Sequence, residues 1–194
     1  MRARTVQWII GGAFACALLG ALGAVAYVKS GLFNVAATKR HSTLTWWATH
    51  ETMIHSVRHY AAGISAPAQF TPQQVLTGFC AYQTHCVACH GAAGVPREQW
   101  ASGFEPSPPY LLDVTNIWNR AQLFWLVKNG IKMTGMPAWG ESMSDPEIWD
   151  VVAFIEASRQ LPPQTYVQWA AQKRCSGPVE PPTPTPPRLP PSGI

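Results

Sequence analysis

Between residues 6 and 28 the chain carries no charged side chain, and Gln7 is the only strongly polar residue of the run. No other feature narrows the possible folds as far. As a helix the run would extend about 34 Å, enough to cross the hydrocarbon of a bilayer with its backbone hydrogen bonds made internally. Arg2 and Arg4 precede it while Lys29, Lys39 and Arg40 follow, so flanking charge leaves the orientation open. A cleaved signal peptide is the rival reading, because Ala24-Val25-Ala26 offers small residues at the spacing signal peptidase uses. The run exceeds the roughly 7–15 residues of a signal h-region, which favours a retained anchor in contact with membrane lipid. Cys16, isolated inside it, reads as a small lipid-facing or helix-packing residue. Composition agrees with a membrane setting: 12% of residues are charged, against roughly 25% in soluble domains, and tryptophan is abundant. The net charge of +4 comes without a Lys/Arg run able to neutralise a phosphate backbone, so no nucleic-acid partner is expected.

With 194 residues the chain has room for one compact domain and its attachments. Residues 42–62 lack Pro and Gly and space Trp46, Met53, Ile54, Val57 and Tyr60 as on an amphipathic helix above the membrane, where Trp46 and Trp47 suit the bilayer interface. His55 and His59, four residues apart, have no third ligand nearby and read as a solvated surface or partner contact rather than a metal pair. A linker over residues 63–72 follows, and Thr71-Pro72 reads as N-cap and first turn of the next helix, which carries Val75, Leu76, Phe79 and Tyr82. Residues 91–112 are Gly- and Pro-rich and should be loop; residues 121–128 form a short helix closed by Asn129-Gly130. Asp145-Pro146-Glu147 opens the last clear helix, with Ile148, Trp149, Val152, Phe154 and Ile155 available for burial. Beyond Cys175 prolines crowd the chain, which leaves a disordered extension or a polyproline segment laid across a partner.

Cys86-Val87-Ala88-Cys89-His90 is a Cys-x-x-Cys-His sequence. Its spacing lets one helical turn offer two thiols to the vinyl groups on one edge of a haem while the adjacent imidazole reaches the iron. A zinc site would want a second ligand pair, and no other Cys-x-x-Cys or close Cys/His pair follows. A thioredoxin-like pair would want a βαβ surrounding, which is missing. The single motif implies one covalently attached haem c on Cys86 and Cys89 with His90 as iron ligand. Thioether attachment of haem belongs outside the bacterial cytoplasmic membrane, so the domain is expected on the periplasmic side.

Over residues 71–161 the chain resembles the class I c-type cytochromes: a start helix, the haem motif, a loop, a methionine segment and a final helix. Gly78 and Tyr82 match the family's small and aromatic positions on the first helix and Phe154 the aromatic on the last, which implies a crossed-helix contact. Residues 124–140, FWLVKNGIKMTGMPAWG, are similar to small membrane-anchored monohaem cytochromes of bacterial respiratory chains. The resemblance implies an all-α fold, a class I haem domain between an N-terminal transmembrane helix and a Pro-rich C-terminal tail. The expected divisions are an anchor at 1–30, an amphipathic helix and linker at 31–70, the haem domain at 71–161 and an extension at 162–194. Met136 is the expected second axial ligand, ahead of Met133 and Met143. A thioether is a soft donor that favours reduced iron, Gly135 and Pro137 flank this methionine, and Gly-Met-Pro matches the family's ligand position. Pro108-Pro109-Tyr110-Leu111 resembles the family's proximal proline segment, which makes the Pro109 carbonyl a candidate acceptor for the His90 Nδ1 proton. The family's helix crossing also implies a Cys80–Cys175 disulfide. Arg120, Lys128 and Lys132 are candidates for haem propionates or an acidic partner, each more simply a solvated charge.

With both axial positions filled, the chemical output is a change of one electron, so the expected role is electron transfer without catalysis. The expected partners are a dehydrogenase, a cytochrome or a terminal oxidase within a respiratory complex. A haem sensor or peroxidase with a displaceable methionine, and an assembly subunit, are the alternatives.

Overall fold

The computed structural model describes residues 2–111, 117–171 and 175. The chain divides into two units, residues 1–39 and 40–194. In the first, helix α1 spans Arg2–Lys29. Within Arg4–Lys29 an 18-residue window reaches a mean hydropathy of 2.2 and none of it is buried, so the helix is long and apolar enough to cross a membrane.

The second unit is all-α among its described residues, with a single isolated bridge between Ala92 and Val95. Helix α2, Thr43–Ala61, starts at Ser42, whose side chain accepts from Thr45 N. It turns Val57 and Ala61 inward, stacks Tyr60 on Trp125 at 6.0 Å, and leaves Leu44, Trp46 and Trp47 exposed. Helix α3, Pro72–His85, begins with the expected Thr71 cap, reinforced by Gln74 in a capping box, and runs into the short helix α4, Val87–His90. Helix α5, Arg120–Asn129, is opened by a capping box between Asn119 and Gln122. It is closed at Gly130, whose φ of 63° suits a residue without Cβ. Helix α6, Asp145–Ser158, is the expected last clear helix and buries Ile148 and residues 151–155.

Helices α3 and α6 cross at Gly78. A Cβ there would fall 1.8 Å from the Asp150 carbonyl oxygen, so the backbones meet where only hydrogen fits. Phe79 and Tyr82 of α3 pack on Phe154 of α6 with ring centroids 5.6 and 5.0 Å apart. This is the crossed contact that the resemblance implied.

The core runs past residue 161. A further helix, α7, Pro163–Ala171, buries Tyr166, which meets the Phe79 ring edge-on at 5.3 Å and donates its hydroxyl to Gln83 Oε1 at 2.6 Å. Pro163 stands at the start of the helix, where its missing N–H costs nothing. Beyond α7, Cys175 is disulfide-bonded to Cys80 of α3 with Cα atoms 5.2 Å apart, so the pairing holds. The Pro-rich tail lies outside the described residues.

Arg120 is a structural residue. It forms a two-pronged ion pair with Glu156 at 2.6 Å and also donates to the carbonyls of Pro67 and Ala68, tying the linker to α5 and α6. Lys128 pairs with Asp145 at 2.6 Å. Both charges are thus engaged within the protein.

Candidate haem site

The last turn of α3 and helix α4 form nearly continuous backbone, with Cys86 N–H bonded to Tyr82 O at 2.9 Å and His90 N–H to Cys86 O at 2.9 Å. Cys86, Cys89 and His90 therefore share one turn, and both cysteines are free thiols. Burial, and secondarily Cys89, pushes the Cys86 thiol up to about 12. The buried Tyr82 hydroxyl donates to Gly91 O at 2.5 Å and fixes the exit from the turn. Burial raises the Tyr82 pKa, keeping the phenol a donor.

The His90 ring lies 2.8 Å through Nδ1 from the Pro109 carbonyl oxygen. A carbonyl only accepts, so Nδ1 carries the proton and Nε2 keeps its lone pair. Burial lowers the His90 pKa, the Arg97 charge adds to this, and the hydrogen bond to Pro109 opposes both. The net result is a neutral imidazole, the form that ligates a metal.

The methionine segment turns back on itself after α5. Ile131 N–H bonds to Met136 O at 3.3 Å, and Thr134 Oγ1 accepts from Met136 N–H at 3.1 Å. Gly130 is pressed against this turn, since a Cβ there would lie 2.6 Å from the Pro137 carbonyl. Met136 is half-buried against the core that Cys86 also borders. Met133 points away at 96% exposure. Met143 borders the core too, held by its N–H to Trp139 O at 2.8 Å. Trp139 in turn meets the His85 ring, with centroids 5.0 Å apart, and so connects the methionine segment to the end of α3.

Two free thiols on one turn, a neutral histidine with Nε2 available and a half-buried thioether make a donor set that fits a haem c. Among the described residues there is no cluster of three or more His, Cys, Asp or Glu side chains placed to hold a bare metal ion. His55 is exposed beside Glu51 at 3.6 Å, as expected of a solvated helix face. A cavity of about 440 Å³ between Ile64, Phe124, Lys128 and Trp149 contains none of the motif or methionine residues and is separate from this site.

Sequence reasoning did not foresee Arg97, whose guanidinium donates to Pro108 O and covers the Tyr110 ring at 4.1 Å. It sits in a loop with no periodicity to mark it.

This helical arrangement around a Cys-x-x-Cys-His turn defines a c-type cytochrome domain, an electron-transfer module. Residues 73–155 match the family described as cytochrome c oxidase, cbb3-type, subunit III. No curated protein matches the chain.

Proposed function

We propose that the chain carries single electrons at the bacterial cytoplasmic membrane, with one haem c bound through Cys86 and Cys89 and its domain on the periplasmic side. His90 and Met136 would hold its iron. When bound, the haem supplies an iron whose charge changes by one electron. The chain's own residues would orient and insulate it: the Pro109 carbonyl holds the His90 imidazole through Nδ1, and Met136 would supply a soft, neutral donor that favours the reduced state. The observation that carries this reading is the 2.8 Å contact of His90 Nδ1 with Pro109 O on the same turn as two free thiols. The exposure of Met133 supports Met136 over its nearest rival.

The apolar helix near the N-terminus supports an anchor within residues 1–30; we place the haem domain itself at residues 71–161. The description of the matched family supports a respiratory oxidase complex as the setting, with a dehydrogenase, cytochrome or terminal oxidase as redox partner.

The test is spectroscopic, on the full chain purified from membranes. Haem should stay attached after denaturation, and the oxidised protein should show the weak near-infrared sulfur-to-iron band. Met136→Ala should abolish the band and open the reduced iron to CO, while Met133→Ala should leave both unchanged. Loss of the band in the Met133 variant alone would reassign the ligand. Rapid CO binding by the wild type would favour a sensor or peroxidase.

A further inference from the structure

We propose that Arg97 is a positioning residue for His90: it holds the Pro108–Tyr110 segment so that the Pro109 carbonyl stays on the imidazole Nδ1. The inference rests on the reading of His90 as the haem ligand. Its starting point is a deficit in the backbone. Pro108 and Pro109 both lack an N–H, so two successive residues have no amide with which to pin themselves to the fold. Yet Pro109 O must stay within hydrogen-bond reach of His90, which it meets at 2.8 Å.

Arg97 supplies the missing anchorage on both sides of Pro109. Its Nη1 donates to Pro108 O, and its guanidinium plane lies 4.1 Å over the Tyr110 ring. Among the described residues it forms no ion pair that would draw it elsewhere. Tyr110 is itself seated against the attachment turn, since a Cβ on Gly91 would come within 2.7 Å of its ring. The base of Arg97 is tied to the same turn, because the N–H of its neighbour Glu98 bonds to Ala88 O at 2.9 Å. The contacts close a ring from Ala88 through Glu98, Arg97, Pro108 and Pro109 back to His90. A planar, forked cation can lie flat on an aromatic ring while donating in its plane to a carbonyl; lysine keeps the charge but not that geometry.

A firmly held Nδ1 hydrogen bond makes the imidazole a stronger donor and favours oxidised iron. Removing a positive charge near the haem would also favour oxidised iron, so a charge-conserving substitution separates the two effects. The experiment compares haem-loaded full-length wild type, Arg97→Lys and Arg97→Ala by midpoint potential and by NMR exchange of the His90 Nδ1 proton. Arg97→Lys should favour reduction by up to about tenfold, 59 mV for one electron, with faster Nδ1 exchange. An Arg97→Lys protein with wild-type potential and exchange overturns the proposal, and so does a potential that falls in Arg97→Ala alone, which would mark a charge effect. Should Arg97→Ala fail to load haem, Tyr110→Leu replaces it and, since it keeps the Arg97 charge, should favour reduction as Arg97→Lys does. A wild-type spectrum without histidine-ligated low-spin haem would instead overturn the ligand reading, and this role with it.

Discussion

Gly78→Ala sets two effects of opposite sign against each other. In the middle of α3, alanine is a better helix former than glycine by about 1 kcal/mol, so local propensity alone forecasts a more stable protein. At the crossing with α6, however, the new Cβ would lie 1.8 Å from Asp150 O, 2.4 Å from the Asp150 carbonyl carbon and 3.0 Å from Phe154 Cβ. A carbon–oxygen contact needs roughly 3.3 Å, so the helices must part by about 1.5 Å. A gap of roughly 0.5–1 Å already forfeits about a quarter to a half of a dispersion contact. Phe79, Tyr82, Val151 and Phe154 on these two helices are all at most 3% exposed, and burial of each contributes about 2 kcal/mol. Losing a quarter to a half of that sum costs about 2–4 kcal/mol, which outweighs the propensity gain and leaves a net loss of about 2 kcal/mol. In urea this lowers the unfolding midpoint by about 1 M for a slope of about 2 kcal/mol/M. Haem-loaded wild type and variant are compared in the same detergent by tryptophan fluorescence. A variant as stable as the wild type, or more stable, would refute the crossing argument.

Cys80→Ser should cost about 2–4 kcal/mol, since the bond closes a span of 95 residues and retains α7 against α3; a denaturation midpoint unmoved by the substitution would deny it that role. Glu156→Gln tests the Arg120 pair through pH. The Arg120 hydrogen bond holds the Glu156 carboxyl below its ordinary value of 4.5, so the stability it contributes is present above that pH and lost as pH falls through the folded-state value. With Glu156 37% exposed that contribution is about 1 kcal/mol or less. The variant's stability should therefore fall less steeply than the wild type's below pH 4.5, and identical acid limbs would show the pair to be inert.

What was legible in the sequence were features governed by near neighbours. The apolar run, the Thr71-Pro72 start, the Gly130 stop and the Asp145-Pro146-Glu147 start are each set by the backbone chemistry of a few adjacent residues, and each appears where expected. The Cys-x-x-Cys-His turn is of the same kind, because its three donors share one helical turn whatever surrounds them. The Gly78 crossing, the Cys80–Cys175 bond and the Pro109 acceptor reached the sequence reading only through the family resemblance, since nothing in their spacing brings them together.

Tertiary structure alone decided the rest. Helix α7 is short and begins at a proline, and what makes it part of the core is that Tyr166 fills space against Phe79, a residue far away in the chain. Arg120, a candidate for propionates by its charge, is committed to Glu156 and two linker carbonyls because the fold carries residues 67, 68 and 156 to it. Met136 is set apart from Met133 in sequence by its Gly135 and Pro137 neighbours and the family's Gly-Met-Pro position, but that Met133 is exposed while Met136 borders the core is decided by the turn of the loop. Arg97 shows the limit most plainly. Hydrophobic period, caps and turn residues all record what a residue does to its own segment, whereas a guanidinium that steadies a proline carbonyl acts through space, on a partner that only the path of the folded chain selects.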